Sequence, residues 1–282
     1  MRWRRIEERV FGVLMLLATA VVVGSLVWIA GVIVYRGAGA LKLSMLVQLP
    51  RGGAYGREGG ILNGIVGSVL LSLPATILAG MVALPACIIL QDEHAGRNPF
   101  IRSARLSLDV LWGVPSIVYG AFGYILMVYM GLRASLLAGI VAITFVQLPI
   151  VARAIDEVMR TVPLELKEAA FATGATRFEV ATRVVVRQSL PGILTGLLLG
   201  FGRGIGDAAA LLFTAGYTDG IPASLTEPAA SLPLTVFYLL GAPYPEARAK
   251  AYAAAFVLLA IVLVVSVVSR LATARLRRST VI

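Results

Sequence analysis

Six stretches of the chain are long and apolar: 10–34, 61–90, 110–130, 134–152, 189–216 and 251–269. Each approaches or exceeds the roughly 20 residues that a helix needs to cross a hydrocarbon core about 30 Å thick, and only 189–216 contains charge, at Arg203 and Asp207. The pattern predicts an all-α integral membrane protein with six transmembrane helices. The stretch 61–90 carries Pro74 and Pro85 and predicts a tilted or kinked span. Before it lies a polar stretch rich in glycine (Gly52, Gly53, Gly56, Gly59 and Gly60). The run 10–34 follows Arg2, Arg4, Arg5 and Arg9 and is too long for the apolar region of a cleaved signal peptide.

Composition agrees. The chain has 282 residues, 59% hydrophobic and 14% charged, with a mean hydropathy of +0.88. The formal charge of +10 does not indicate nucleic acid, because the basic residues sit between apolar spans, where they set orientation. With the N-terminus in the cytoplasm, 17 of the 25 Lys and Arg fall in cytoplasmic segments and seven outside, leaving Arg203 in the membrane. Both termini are then cytoplasmic. Trp3, Trp28, Tyr35, Tyr124 and Tyr129 fall near span ends, as an aromatic belt would. The single cysteine, Cys87, reads as a small core residue. The single histidine, His94, lies beside Asp92 and Glu93 in a charged loop, which leaves no His-based metal site or triad. No G-x-x-x-x-G-K-[ST] string occurs, so any ATP chemistry must come from another chain.

One connection stands apart. The segment 153–188 is long, dense in both charge signs and helical in pattern. Pro163 suits the opening turn of a helix, Leu164, Leu166, Ala169, Ala170 and Phe171 give it an apolar side, and Gly174 suits its end. A second short helix is predicted over 176–186. The two would form either an ordinary interfacial hairpin or a knob that another protein grips.

The string Glu168-Ala169-Ala170-Phe171-Ala172-Thr173-Gly174, followed by Leu190-Pro191-Gly192, resembles the EAA loop of type I ABC-importer permeases. Gly113-Val114-Pro115-Ser116-Ile117-Val118-Tyr119-Gly120 and Gly206-Asp207-Ala208-Ala209-Ala210-Leu211-Leu212-Phe213-Thr214-Ala215 are similar to strings of the phosphate-specific branch. The resemblance implies the type I permease fold, with a cytoplasmic coupling helix whose Glu168, Ala169, Ala170 and Gly174 contact an ATPase. It also implies a homologous second permease subunit, a cytoplasmic ATPase dimer that binds the ATP and Mg, an external phosphate-binding protein, and a bacterial inner-membrane setting with no cofactor on this chain. Three regions follow: 1–58 (N-terminus, first helix and external loop), 59–270 (the permease domain) and 271–282 (a basic tail). The external stretch 217–244 is a candidate surface for the binding protein. Two positions depart from the family pattern. Val184-Val185-Val186-Arg187 stands where relatives have I-x-L-P, which lets the second loop helix run on toward the membrane, and Asp207 stands where Glu is usual.

The charged span carries the candidate chemistry. Arg203 and Asp207 are spaced i,i+4, close enough to pair on a helix. Gly192, Gly196, Gly200 and Gly204 recur every four residues, and on a helical wheel the pair falls within the sector that these glycines occupy. A glycine ridge alone is ordinarily a packing seam. Combined with an arginine, whose planar fork of donors suits a tetrahedral oxyanion, it is expected to line a translocation path through Arg203, Asp207, Gly200 and Gly204. The pair does not choose among oxyanions, so a molybdate or sulfate permease stays open beside phosphate. An ion-coupled secondary transporter also places charge at mid-membrane but has no need of an EAA-type loop.

Overall fold

The computed structural model describes residues 2–51, 58–91 and 99–276. Gly52, Gly53, Gly56, Asp92, Glu93 and His94, and the tail beyond 276, lie outside the described residues. The side chain of Trp3 does too.

The first helix, α1 (Arg2–Ala40), has 39 residues and overruns the apolar stretch at both ends. Val21 and Trp28 are exposed on it, as on a surface meant for lipid. Near its C-terminal end it meets α11 (Pro245–Leu276). There Gly37 lies so close to Tyr252 and Phe256 that a Cβ would stand 2.6 Å from the Tyr252 carbonyl oxygen. Arg36 Nη1 donates to Tyr252 Oη at 3.0 Å, and the guanidinium carbon lies 5.2 Å from the centre of that ring. A 3₁₀ turn (Leu43–Leu46) and two short antiparallel strands, β1 (Pro50–Arg51) and β2 (Glu58–Gly59), follow, with Pro50 opposite Gly59 and Arg51 opposite Glu58.

Three long helices build the core: α2 (Leu62–Leu90), α5 (Leu136–Arg160) and α8 (Val186–Ile205), all in mutual contact. Pro74 and Pro85 lie inside α2, and Pro149 lies inside α5. One apolar cluster holds Leu71, Ala75, Ile143 and Val146, and a second holds Ala83, Cys87, Ile155, Met159, Val185 and Ile193. Cys87 is fully buried and its thiol donates to the Ala152 carbonyl oxygen at 3.2 Å, which bears out the reading of a core cysteine.

Two spans differ from expectation. The third is not a single helix over 110–130. It is split into α3 (Pro99–Trp112) and α4 (Ser116–Tyr129), bent by 100°. The cause is local: Pro115 takes an extended conformation (φ −60, ψ 138) as N-cap of α4, and a proline disfavours helix at the residue before it. At 14 residues, α4 is about 21 Å long, shorter than the hydrocarbon core. Among the described residues, five helices are therefore long and apolar enough to span a membrane, or six when the bent pair is taken as one broken span.

The fifth span ends at Ile205 instead of continuing to Gly216. After it the chain makes a short helix, α9 (Leu211–Thr214), then folds back across the start of α5 through Ser135 N to Thr214 O, Leu136 N to Glu227 O and Leu137 N to Leu225 O. The stretch 217–244 is consequently only in part a surface. Its second half contains α10 (Leu232–Leu240), capped by Ser231 and packed on α2 and α11, with Leu232 and Leu234 fully buried. Residues 223–228 remain exposed.

Candidate functional site

The connecting segment folds as two helices around a glycine. Pro163, extended at φ −55 and ψ 141, precedes α6 (Leu164–Ala172). Gly174 closes the turn at φ +84, a left-handed conformation that favours glycine, with its N–H donating to the Phe171 carbonyl at 2.9 Å. A capping box then starts the next helix: the Glu179 N–H donates to Thr176 Oγ1 at 3.3 Å, and the Thr176 N–H donates to Glu179 Oε2 at 3.0 Å. That helix does not end at 186. It runs from α7 (Arg177–Glu179) through a π-helical turn (Val180–Val185) directly into α8, and Arg187 lies within the continuous helix. No residue of α6 is buried. Glu168, Ala169 and Gly174 are exposed, Ala170 is half-buried, and Leu164 and Phe178 project apolar surface outward. Unpartnered apolar and acidic surface on one knob is what a docking contact requires.

Arg203 sits in the last turn of α8, and Asp207 lies just past the helix end. Arg203 Nη1 stands 3.0 Å from Asp207 Oδ2, so the expected pair forms. The two partners differ sharply in setting. The Asp207 side chain is 1% exposed, and its Oδ1 accepts the Ala210 N–H at 2.9 Å, whereas the Arg203 side chain is 47% exposed. One guanidinium nitrogen thus faces a buried carboxylate while the arginine side chain as a whole stays half-exposed.

The glycines do not share that opening. Gly192, Gly196, Gly200 and Gly204 pack along α5: a Cβ at Gly196 would come 2.9 Å from Ala154 Cβ, and one at Gly200 would come 2.5 Å from Val151 Cγ2. Gly192 abuts Val158, and Gly204 abuts the Gln147 amide. Residues four apart advance by about 40° around a helix, so by the level of Gly204 the ridge has turned about 100° away from Arg203. The wheel projection merged positions that the helix separates along its length. Gly200 and Gly204 therefore seat α8 on α5, and Arg203 projects from another side. Sequence reasoning missed Gln147, which is fully buried with neither amide atom hydrogen-bonded. A glutamine within 134–152, opposite the glycine ridge, was its only signal. Among the described residues no group of three His, Cys, Asp or Glu could hold a metal.

Comparisons with known proteins agree with this geometry. Residues 95–278 match the family described as binding-protein-dependent transport system inner membrane component. Over 274 residues the chain is 32% identical to the phosphate transport system permease protein PstA of Yersinia pestis, covering 97% of this chain and 92% of the relative. The PstA protein of Xylella fastidiosa strain Temecula1 is 36% identical over 215 residues, 76% of this chain and 75% of that one. Among solved structures, an inward-facing MetNI methionine ABC transporter superposes with a TM-score of 0.61 at 18% identity, over 78% of this chain and 95% of that chain. An amino acid ABC transporter crystallised with histidines gives 0.60 at 18%, over 76% and 93%. At such identity the two structures speak for the fold alone, which is that of type I ABC-importer permeases. With an exposed EAA knob, a broken third span and relatives above 30% identity over most of its length, the chain belongs to the binding-protein-dependent transport family of inner membrane components, in its PstA branch.

Proposed function

We propose that this chain is a membrane-embedded permease subunit of an ATP-driven importer of inorganic phosphate, forming half of the translocation path. The observation that carries the reading is the half-open Arg203, paired to buried Asp207, in a chain of the PstA branch. The guanidinium is permanently charged and offers parallel donors to two oxygens of a tetrahedral anion. Asp207 neutralises it in the empty state and competes with the passing anion, which keeps binding weak enough for release. When Arg203 turns to the anion, Asp207 retains the Ala210 N–H and is not left without a partner.

The chain carries no phosphate-cradling loop, so hydrolysis falls to a cytoplasmic ATPase dimer that holds ATP and Mg. A homologous permease subunit supplies the other half of the path, and an external phosphate-binding protein delivers the substrate. The family and the apolar helices support placement in the bacterial inner membrane, and the Lys and Arg distribution supports two cytoplasmic termini.

Uptake of radiolabelled phosphate, molybdate and sulfate into proteoliposomes holding the assembled complex tests the reading. Phosphate alone should accumulate, and only with ATP. Transport of molybdate or sulfate in place of phosphate would overturn the substrate assignment, and uptake driven by an ion gradient without ATP would overturn the class.

The α6 knob supports an ATPase contact through Glu168, Ala169, Ala170 and Gly174. Glu168→Lys reverses an exposed charge, and Gly174→Val places a branched side chain where φ is +84. Both are expected to cut co-purification of the ATPase subunit by at least about tenfold, the effect of roughly 1.4 kcal/mol at an interface. Full co-purification by both variants would remove the knob as the docking site.

A further inference from the structure

A buried polar node lies one turn before the end of α5. Asp156 is 5% exposed and is gripped from three elements. Its Oδ2 accepts Arg160 Nη2 of α5 at 2.6 Å, and its Oδ1 accepts Nε2 of Gln91, the C-cap of α2, at 3.0 Å. Arg105 Nη2 of α3 lies 3.6 Å from Oδ1 while donating to the Leu90 carbonyl at the end of α2, at 2.6 Å. A second ion pair, Arg153 with Asp109, also joins α5 to α3. Immediately beyond the node, Met159, Val162, Leu166 and Val185 pack in one cluster, so the base of α6 and the π turn rest on the end of α5.

We propose that Asp156 is a positioning residue that transmits displacement of the α6 knob into α2 and the bent α3–α4 pair, coupling nucleotide hydrolysis to transport. The proposal rests on the phosphate-import reading above. Three physical points favour it. A carboxylate this buried needs its cationic partners, so the elements supplying them move with it. The node joins the end of α5, against which Leu166 of the knob and Val185 of the π turn pack, to Gln91 at the end of α2 and Arg105 of α3. It is also unsaturated: Arg105 Nε is buried without a hydrogen bond, and the gap of 3.6 Å to Asp156 exceeds a hydrogen bond. A second arrangement, with Arg105 closed onto Asp156 and released from Leu90, is available to the same side chains. A two-arrangement element biased from both ends is the physical requirement for coupling.

The experiment measures phosphate accumulated per ATP hydrolysed in proteoliposomes of the full complex. Asp156→Asn keeps the size of the side chain and an acceptor for Gln91 but removes the charge. Hydrolysis should continue while the ratio falls about tenfold, an ordinary allosteric coupling. Asp156→Glu should recover part of the ratio. A purely structural role would instead lower yield and thermal stability and leave the ratio of the surviving complex unchanged, and that result overturns the proposal. Should Asp156→Asn fail to assemble, Arg105→Gln and Gln91→Leu each remove one arm of the node and read the same ratio, and an unchanged ratio in both overturns it equally. If the wild type moves another oxyanion instead of phosphate, the substrate reading fails, yet the ratio measured with that anion still decides the role of Asp156.

Discussion

Replacing Arg203 by alanine is expected to reduce ATP-dependent uptake at least about a hundredfold while hydrolysis continues, because removing one preorganised donor that stabilises an anion costs about 2.7–4 kcal/mol and 1.36 kcal/mol is a factor of ten in rate. The loss has two sources. The path loses its cation, and Asp207, with a side chain only 1% exposed, keeps a charge facing no counter-ion. Arg203→Lys separates them. Lysine retains the charge opposite Asp207 but not the planar fork, so uptake about tenfold below wild type is expected if the anion is held through two oxygens. Radiolabelled uptake and phosphate release from ATP, followed in the same vesicles, check both variants. Full uptake by the lysine variant would refute two-point recognition, and loss of hydrolysis together with uptake in the alanine variant would move Arg203 from the path to the assembly of the complex.

The largest effect on stability is expected from Gly67→Ala. On α2, Gly67 lies against the Ala230 main chain so closely that a Cβ would overlap the Ala230 carbonyl oxygen. The opposing strand of chain cannot step back. The Ala229 N–H is bonded to Ala215 O at 2.9 Å, the Leu232 N–H donates to Ser68 Oγ at 2.8 Å, and the Leu234 N–H donates to Ser231 Oγ at 3.3 Å. Inserting one methyl group must either break these bonds or part α2 from α10, at about 3 kcal/mol or more. Gly24→Ala on α1 is the matched control, since a Cβ there meets nothing within 4 Å. Thermal midpoints in detergent should fall sharply for the first variant and stay level or rise slightly for the second. Equal midpoints would show that the close approach at Gly67 is not needed for the fold.

What was legible in the sequence followed from how strongly each feature is determined locally. The apolar stretch 61–90 matches α2 but for its N-cap residue Ile61, and 251–269 lies within α11, because length and hydropathy suffice to specify a span. The proline and glycine around the EAA string marked α6 with its glycine turn, because both are local signals. The break at Gly113-Val114-Pro115 carried a signal of the same kind, but the apolar residues on either side concealed it by reading as one span. The end of α8 was hidden in the same way. Gly206 and an Asp207 side chain bonded to the N–H three residues on mark a helix terminus, inside a stretch whose hydropathy continues to Gly216. Partners in space were not legible at all. Nothing in the string RAIDEVMR shows that Asp156 meets Gln91 and Arg105, which lie 65 and 51 positions earlier in the chain.

The unbroken helix from Arg177 to Ile205 has a mechanical consequence. Its 29 residues make a strut about 43 Å long, interrupted in its hydrogen-bond ladder by the π turn near the knob and by Pro191. Arg203 rides on the strut. Asp207 does not: it belongs to the chain beyond the helix end, held by the Ala210 N–H next to Leu211, which is sunk in the core. A push on the strut therefore slides one charge past the other, and the 3.0 Å between them becomes a gauge of how far the knob at the opposite end has been displaced.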